Sequence, residues 1–473
     1  MQFFLQAKLL GIEAFVQAAP SAADCAGRSL YTTLASEVLP RALLQSAGLA
    51  QELVGLSGGG HFLVVLPGEA IPHANEFLAS AAGRLHIISG GELRLIWNST
   101  ENLGDWTIVR KRLFEPLDQM QCAPGYELEI PAEAPPDFAG EFFAKAISAK
   151  AAGWDPESQF LIVLDGGASQ WAISPDLAPD TISVASHFAR RDDNEQPAEL
   201  TGLGQRARGR KLWGVLRGDV DNFGVRLRRA QTIEEHIQLS VFLKQFFAGE
   251  LQVVCSMGEF WRKVSILYTG GDDFAVYGAW DALIPLAREV QRLFHKSAEE
   301  FLKDLPGPEG KTISMAMALA PEGDTSLGTA LKVASRELEA AKSLGKDSIS
   351  VFGRVMEWKQ LSEAADLRDE MLRLIDEFGC SPEFLGQLGG FYRDTAANTM
   401  LRLNRAKAER FDRPWRFYRR LSRVLEGPAR NREFQKARAS LLGEFIGKNQ
   451  AHVKLRPSGR VALEWARLMQ EAK

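Results

Sequence analysis

The run Tyr268-Thr269-Gly270-Gly271-Asp272-Asp273-Phe274 constrains this chain more than any other stretch. Val264, Ile266 and Leu267 precede it and Phe274, Val276 and Tyr277 follow. Apolar runs on both sides of a two-glycine turn predict the tip of a buried β-hairpin. Two adjacent carboxylates there repel each other and are costly to desolvate, so they call for a cation. A second acidic cluster, Gly218-Asp219-Val220-Asp221-Asn222-Phe223-Gly224, ends the apolar run Leu212–Leu216. Gly-Gly-Asp-Asp alone reads as a solvated turn, since Asp and Gly are ordinary turn residues. Paired with the upstream cluster, it points to a metal site.

Residues 206–355 read as one α/β unit. A strand over Leu212–Leu216 leads into the acidic turn. A helix follows from about Thr232, whose Thr-Ile-Glu-Glu start is a capping box, to about Phe247. Next come the hairpin, a helix through Asp281–Phe301, a strand at Ile313–Leu319, a helix over about Ser326–Ser343 and a strand at Ile349–Phe352. The order βαββαβ is the ferredoxin-like arrangement that palm domains share. Its first and third strands are neighbours, which brings Asp219 beside Asp272 and Asp273.

The N-terminal residues repeat this plan. A strand (Phe3–Leu9), a helix (about Arg28–Ser46), a hairpin tip at Ser57-Gly58-Gly59-Gly60-His61-Phe62, a helix near Ala74–Ala82 and a strand near Leu93–Trp97 follow in turn. On spacing, Phe15 falls where Phe223 does and Phe62 where Phe274 does. Glycine or histidine stands at each aspartate position, so this copy is expected to bind no metal. Residues 99–205 are loop-prone, with Pro-rich pieces at 131–136 and 175–179. Residues 356–473 have no strand pattern and predict a helical bundle. The expected fold class is therefore α+β: a first unit over 1–98, a linker domain over 99–205, the aspartate-bearing unit over 206–355 and a helical domain over 356–473.

Charge divides the same way. Residues 401–473 carry 19 Lys and Arg against 7 Asp and Glu, whereas residues 1–400 carry 37 against 53. A basic end suits a polyanion, a solvated helical face or a subunit-docking face. The basic-aromatic run at 413–420 either stacks on RNA or packs a helical core. Cys25, Cys122, Cys255 and Cys380 form no Cys-x-x-Cys pair, which argues against a zinc ribbon and a disulfide framework. Met1–Val16 is apolar but lacks a basic start and is interrupted by Lys8 and Glu13, so it predicts a strand rather than a signal peptide. No run approaches transmembrane length, so no membrane contact and a cytoplasmic location are expected.

Magnesium takes oxygen ligands and keeps waters or substrate phosphates in its shell. Asp219 with Asp272 or Asp273, plus the Val220 carbonyl, supplies the protein share, and two ions would serve a 3′-hydroxyl and a pyrophosphate leaving group. Asp221 caps the following helix or binds metal peripherally. The amides of residues 221–224 suit a triphosphate, with Asn222 reading ribose or base beside Phe223 and Gly224. Gly270 and Gly271 allow close backbone approach. Lys342 and Lys346 either reach phosphates or simply complement a helix C-terminus. Ser57, Gly58 and Gly59 either admit a second nucleotide or form a tight turn. His61 reads as a packed turn residue, and Arg28 and Ser29 as a helix start.

These motifs resemble those of the large palm-containing subunit of type III CRISPR effector complexes, closest to the Csm type. The carriers are Gly27-Arg28-Ser29, Ser57-Gly58-Gly59-Gly60, the 218–224 cluster and Gly270-Gly271-Asp272-Asp273, in that order over nearly the whole chain. The second unit is also similar to GGDEF diguanylate cyclases, through Ala341-Lys342 and Gly345-Lys346 as well, but Asp273 stands where Glu is typical and no RxxD precedes the tip. The resemblance implies a cyclic oligoadenylate synthase that uses ATP in both palms with Mg²⁺ or Mn²⁺. It implies partners too: Cas5-like and backbone Cas7-like proteins, a small subunit, crRNA and target RNA. None of the seven histidines is followed by aspartate, so the HD nuclease of many members, and its DNase activity, is not expected. Only Cys122 lies in 99–205, so the zinc of many linker domains is not expected either. A scaffold without catalysis, or a free-standing diguanylate cyclase, are the competing readings.

Overall fold

Alternation of apolar residues builds the first sheet. The computed structural model describes residues 1–122, 136–167, 169–174, 180–192, 196–321, 326–390, 430–445 and 456–470, with positions 419, 423, 425, 427 and 428. β1 (Gln2–Leu10) pairs antiparallel with β3 (His61–Pro67) and β4 (Arg94–Glu101), and β2 (Val54–Gly58) flanks β3. The order is β2-β3-β1-β4. A short helix α1 (Ile12–Gln17), the long α2 (Ala22–Ser46) and α3 (Ile71–Ile88) connect these strands.

α2 begins six residues before the expected Arg28, because Ser21 is a better cap and accepts from the Asp24 amide at 3.1 Å. The Gly27-Arg28-Ser29 motif therefore lies inside the helix. Arg28 pairs with Asp24 at 2.8 Å, and a Cβ on Gly27 would sit 2.1 Å from the Phe138 carbonyl oxygen. α2 is buried nearly all round, as a helix packed on several sides must be.

The stretch expected to be loop-prone holds more structure than its prolines suggested. α4 spans Trp106–Cys122, a π-helical turn at Phe138–Phe143 runs into α5 (Ala144–Ala146), and α6 spans Leu200–Gln205. Between them β5 (Ala151–Trp154), β6 (Ile162–Leu164), β7 (Gln170–Ile173) and β8 (Thr181–Ile182) form a small sheet, order β6-β5-β7-β8. Strands this short show no readable alternation. The Pro-rich pieces at 131–135 and 175–179, and the 413–420 run except Arg419, lie outside the described residues.

The next sheet repeats the first in its order, β10-β11-β9-β12. β9 is Trp213–Val220, β10 Val264–Thr269, β11 Asp273–Ala279 and β12 Ile313–Leu319. α7 (Phe223–Arg229), α8 (Ile233–Lys244), α9 (Leu251–Cys255) and α10 (Trp280–Phe301) join them. Thr232 caps α8 by accepting from the Glu235 amide at 3.2 Å, as its sequence dictates. One apolar core joins the two sheets through α2, uniting Leu5, Tyr31, Leu34 and Val64 with Val215, Ala275 and Tyr277. Ser29 adds a bond from α2 to the Leu267 carbonyl at 2.7 Å. The protein is α+β.

Chain contacts define two units: residues 1–206 with 212–336, and 207–211 with 337–473. The boundary falls inside α11 (Leu327–Ser343). The second unit contains the hairpin β13 (Ser348–Val351) and β14 (Arg354–Glu357), α12 (Trp358–Asp376) and helices at Arg432–Phe445 and Pro457–Gln470.

Candidate functional site

Strand pairing decides where the aspartates go. β9 continues past the expected Leu216 to Val220, so Asp219 belongs to the strand and lies directly opposite Asp273 on β11. Directly opposed residues of an antiparallel pair share one face, so these two carboxylates are neighbours, with Arg217 two residues away on the same face. The turn is closed by Val220 N–H to Asp272 O at 2.8 Å and Gly270 N–H to Asp273 O at 2.7 Å. Asp272 and Asp273 line different spaces. Asp273 faces a pocket of about 210 Å³ with Glu13, Ser29, Arg217 and Tyr268. Asp272 lines a cleft of about 450 Å³ with Phe223 and Gly224.

Register also corrects the alignment of the two halves. Lys8 lies opposite His61 as Asp219 lies opposite Asp273, and Ala7 opposite Phe62 as Gly218 lies opposite Phe274. Leu9 N–H reaches Gly60 O as Val220 N–H reaches Asp272 O. Gly11 and Asn222, both left-handed at φ 83° and 58°, precede α1 and α7 respectively. The counterpart of Phe223 is therefore Ile12 and not Phe15, while Phe62 does match Phe274. Lys8, His61 and Gly60 take the places of Asp219, Asp273 and Asp272.

The two glycine turns touch. A Cβ on Gly59 would lie 2.3 Å from the Gly271 nitrogen, and His61 packs against Gly271. The larger cleft consequently takes walls from both sheets: Ser57, Gly58 and Gly59 from one, Gly270, Gly271, Asp272 and Gly224 from the other.

Sequence reasoning missed the cleft's charged wall. Glu37, 1% exposed, receives Lys244 Nζ at 2.7 Å, Arg41 Nη1 at 3.0 Å and the Ser57 hydroxyl at 2.8 Å. Burial alone would push the Glu37 carboxyl up, but Lys244 and Arg41 outweigh it and hold the pKa below the ordinary value. Arg41 also donates to the Thr181 carbonyl at 2.7 Å. The available signal was Glu37 and Arg41 at i, i+4, the only charges in the apolar stretch Leu30–Leu44. Asp221 is buried, and its carboxylate accepts from Thr312 at 2.7 Å and Ser314 at 2.8 Å.

Asp273 is held differently. Burial pushes its carboxyl above the ordinary range, against the pull of Arg217 at 3.3 Å and the Tyr268 hydroxyl at 3.2 Å. Asp219 stands directly opposite Asp273. Magnesium typically uses one or two carboxylates plus substrate phosphates, so Asp219 and Asp273 fit such an ion. Among the described residues no group of three or more His, Cys, Asp or Glu converges on one point, so the three aspartates do not form a single cage. Lys342 lies in the last turn of α11 and Lys346 follows in a left-handed turn at φ 64°, both in the second unit.

Comparison with known proteins bears on this geometry. Residues 212–350 match the family model of the Cas10/Cmr2 second palm domain. The chain is similar to the Csm-type Cas10 large subunits. The subtype III-A Cas10/Csm1 single-strand-specific deoxyribonuclease of Thermococcus onnurineus (strain NA1) is 26% identical over 225 residues, covering 42% of this chain and 28% of that protein. The match thus spans less than a third of that relative's length. A Csm1–Csm4 cassette in complex with pppApA superposes with a TM-score of 0.73 at 18% identity, over 99% of this chain and 69% of the other. The cassette in complex with cA3 gives 0.68 at 17%, again over 99% of this chain and 70% of the other. At such identity the likeness is one of fold. No helix among the described residues is long and apolar enough to cross a membrane.

Proposed function

We propose that this chain joins adenosine nucleotides 3′ to 5′ in the cleft beside the aspartate tip and closes them into cyclic oligoadenylates. It would act as the large subunit of a type III CRISPR effector, switched on by target RNA paired with crRNA. In this reading the two similar sheets are palm domains, residues 99–205 a linker domain and the basic C-terminal helices an RNA-side domain. Cas5-like and Cas7-like proteins and a small subunit would be its neighbours.

The contact of Gly59 with Gly271 carries the reading, because it makes one cleft from two halves of like topology. A ring-closing enzyme needs such a shared space, since both ends of one chain must meet there. Only one half has carboxylates at its hairpin tip; Lys8 stands in the other at the place of Asp219, where its charge would repel a metal and suit phosphate instead. A divalent ion held by Asp219 and Asp273 would activate the attacking hydroxyl and neutralise the leaving pyrophosphate. Lys244 and Arg41, fixed by Glu37, place two cations in the cleft wall, where they could pair with phosphate. The tight glycine turns leave backbone room for a nucleotide at each tip. The solved cassettes were captured with pppApA and with cA3, in keeping with this chemistry.

The test incubates the assembled complex with ATP, Mg²⁺ or Mn²⁺ and target RNA, reading products by mass spectrometry. Cyclic oligoadenylates from the native protein, lost in D219A and in D272A/D273A, are expected. No product from the native protein would leave the scaffold reading, and product made from GTP without RNA would leave the diguanylate cyclase reading.

A further inference from the structure

Arg217 is anchored on one side and only lightly attached on the other. Its Nη1 donates to Glu13 Oε1 at 2.8 Å and to the Ser335 hydroxyl, whereas Nη2 reaches Asp273 Oδ2 at 3.3 Å. The guanidinium lies 5.7 Å from the Tyr268 ring centre, and its buried Nε has no hydrogen-bond partner among the described residues. Its side chain is 12% exposed, against 59% for Glu13 and 30% for Asp273. A guanidinium keeps its proton in a protein, so Arg217 is a permanent cation.

From these contacts we infer that Arg217 is a positioning residue that sets the affinity of the aspartate tip for a divalent cation, with Glu13 holding it back. The inference rests on the metal role given above to Asp219 and Asp273. A fixed cation within about 4 Å of a carboxylate competes for its oxygens and repels an incoming ion. Here Glu13 and Ser335 provide an alternative seat, so the guanidinium can yield Asp273 without being stranded unpaired. The first sheet's neighbour α1, which carries Glu13, thereby tunes a site on the other sheet. Shifting the charge balance at Glu13 or Arg217 should move metal affinity in opposite directions, which mere damage to packing would not do.

The experiment titrates the full chain, without nucleotide, with Mn²⁺ and follows the free ion by electron paramagnetic resonance. D219A identifies the tip-dependent component. R217M should bind about three- to tenfold more tightly than wild type, R217K within about twofold, and E13Q about threefold more weakly. An R217M affinity equal to or below wild type overturns the inference while the catalytic reading stands. E13Q, at an exposed carboxylate, decides if R217M does not fold: unchanged or tighter binding overturns the inference. Absence of any Asp219-dependent Mn²⁺ binding in wild type overturns the metal role itself, and the inference with it.

Discussion

Adding one methyl group at Gly59 should separate the two glycine turns. Gly59 sits at φ 58°, and its Cβ would lie 2.3 Å from Gly271 N, 3.1 Å from Gly271 Cα and 3.2 Å from Gly270 C. All three are backbone atoms, so no side chain can swing aside. Left-handed strain in a non-glycine residue costs about 1 kcal/mol, and forcing packed backbone apart costs about 1–3 kcal/mol. G59A should therefore lose about 2–4 kcal/mol, read as a lower urea midpoint at unchanged slope. Cyclic product formation should fall with it, because the cleft needs both turns in place. The control is Gly83 inside α3, where nothing lies within 4 Å of an added Cβ. G83A should gain about 0.5–1 kcal/mol from helix propensity alone. If G59A stays within about 0.5 kcal/mol of wild type, as surface substitutions do, the contact between the turns is refuted.

Two further outcomes follow from buried charge. Burial, aided by His61 and Arg110, lowers the His236 pKa from 6.5 to about 4 as the ring packs against Trp106. The native pKa is below the unfolded one, so stability is full above pH 6.5 and is lost progressively towards pH 4, by roughly 3 kcal/mol. H236L should flatten urea stability across that window, and an unchanged pH slope would count against a buried neutral ring. The Glu37 pKa is also lowered, so its contribution is full above the ordinary 4.5 and is lost as the pH falls through its native value. E37Q strands Arg41 and Lys244 and should cost about 3–5 kcal/mol at neutral pH by urea denaturation, a loss below about 1 kcal/mol being the refuting result.

Local pattern made several features legible before any fold was known. The apolar runs around Gly270-Gly271 specify a hairpin, Thr232 specifies the start of α8, and Ile313–Leu319 reads as the strand it forms. Each depends on near neighbours, whose spacing the chain fixes by itself. The repeated plan was legible too, but spacing misplaced it, because loop lengths differ between the copies. Only the hydrogen-bond register set Lys8 against Asp219 and Ile12 against Phe223.

The sequence alone determined that paired carboxylates end a buried hairpin. Tertiary structure decided which carboxylates share a face. Asp219 and Asp273 come together across strands, while Asp272 turns into the cleft. It also brought Glu37 to Lys244 and Gly59 to Gly271, contacts between residues roughly two hundred positions apart. No periodicity encodes such meetings, since they arise only when two separately formed sheets pack on α2 and bury one core between them.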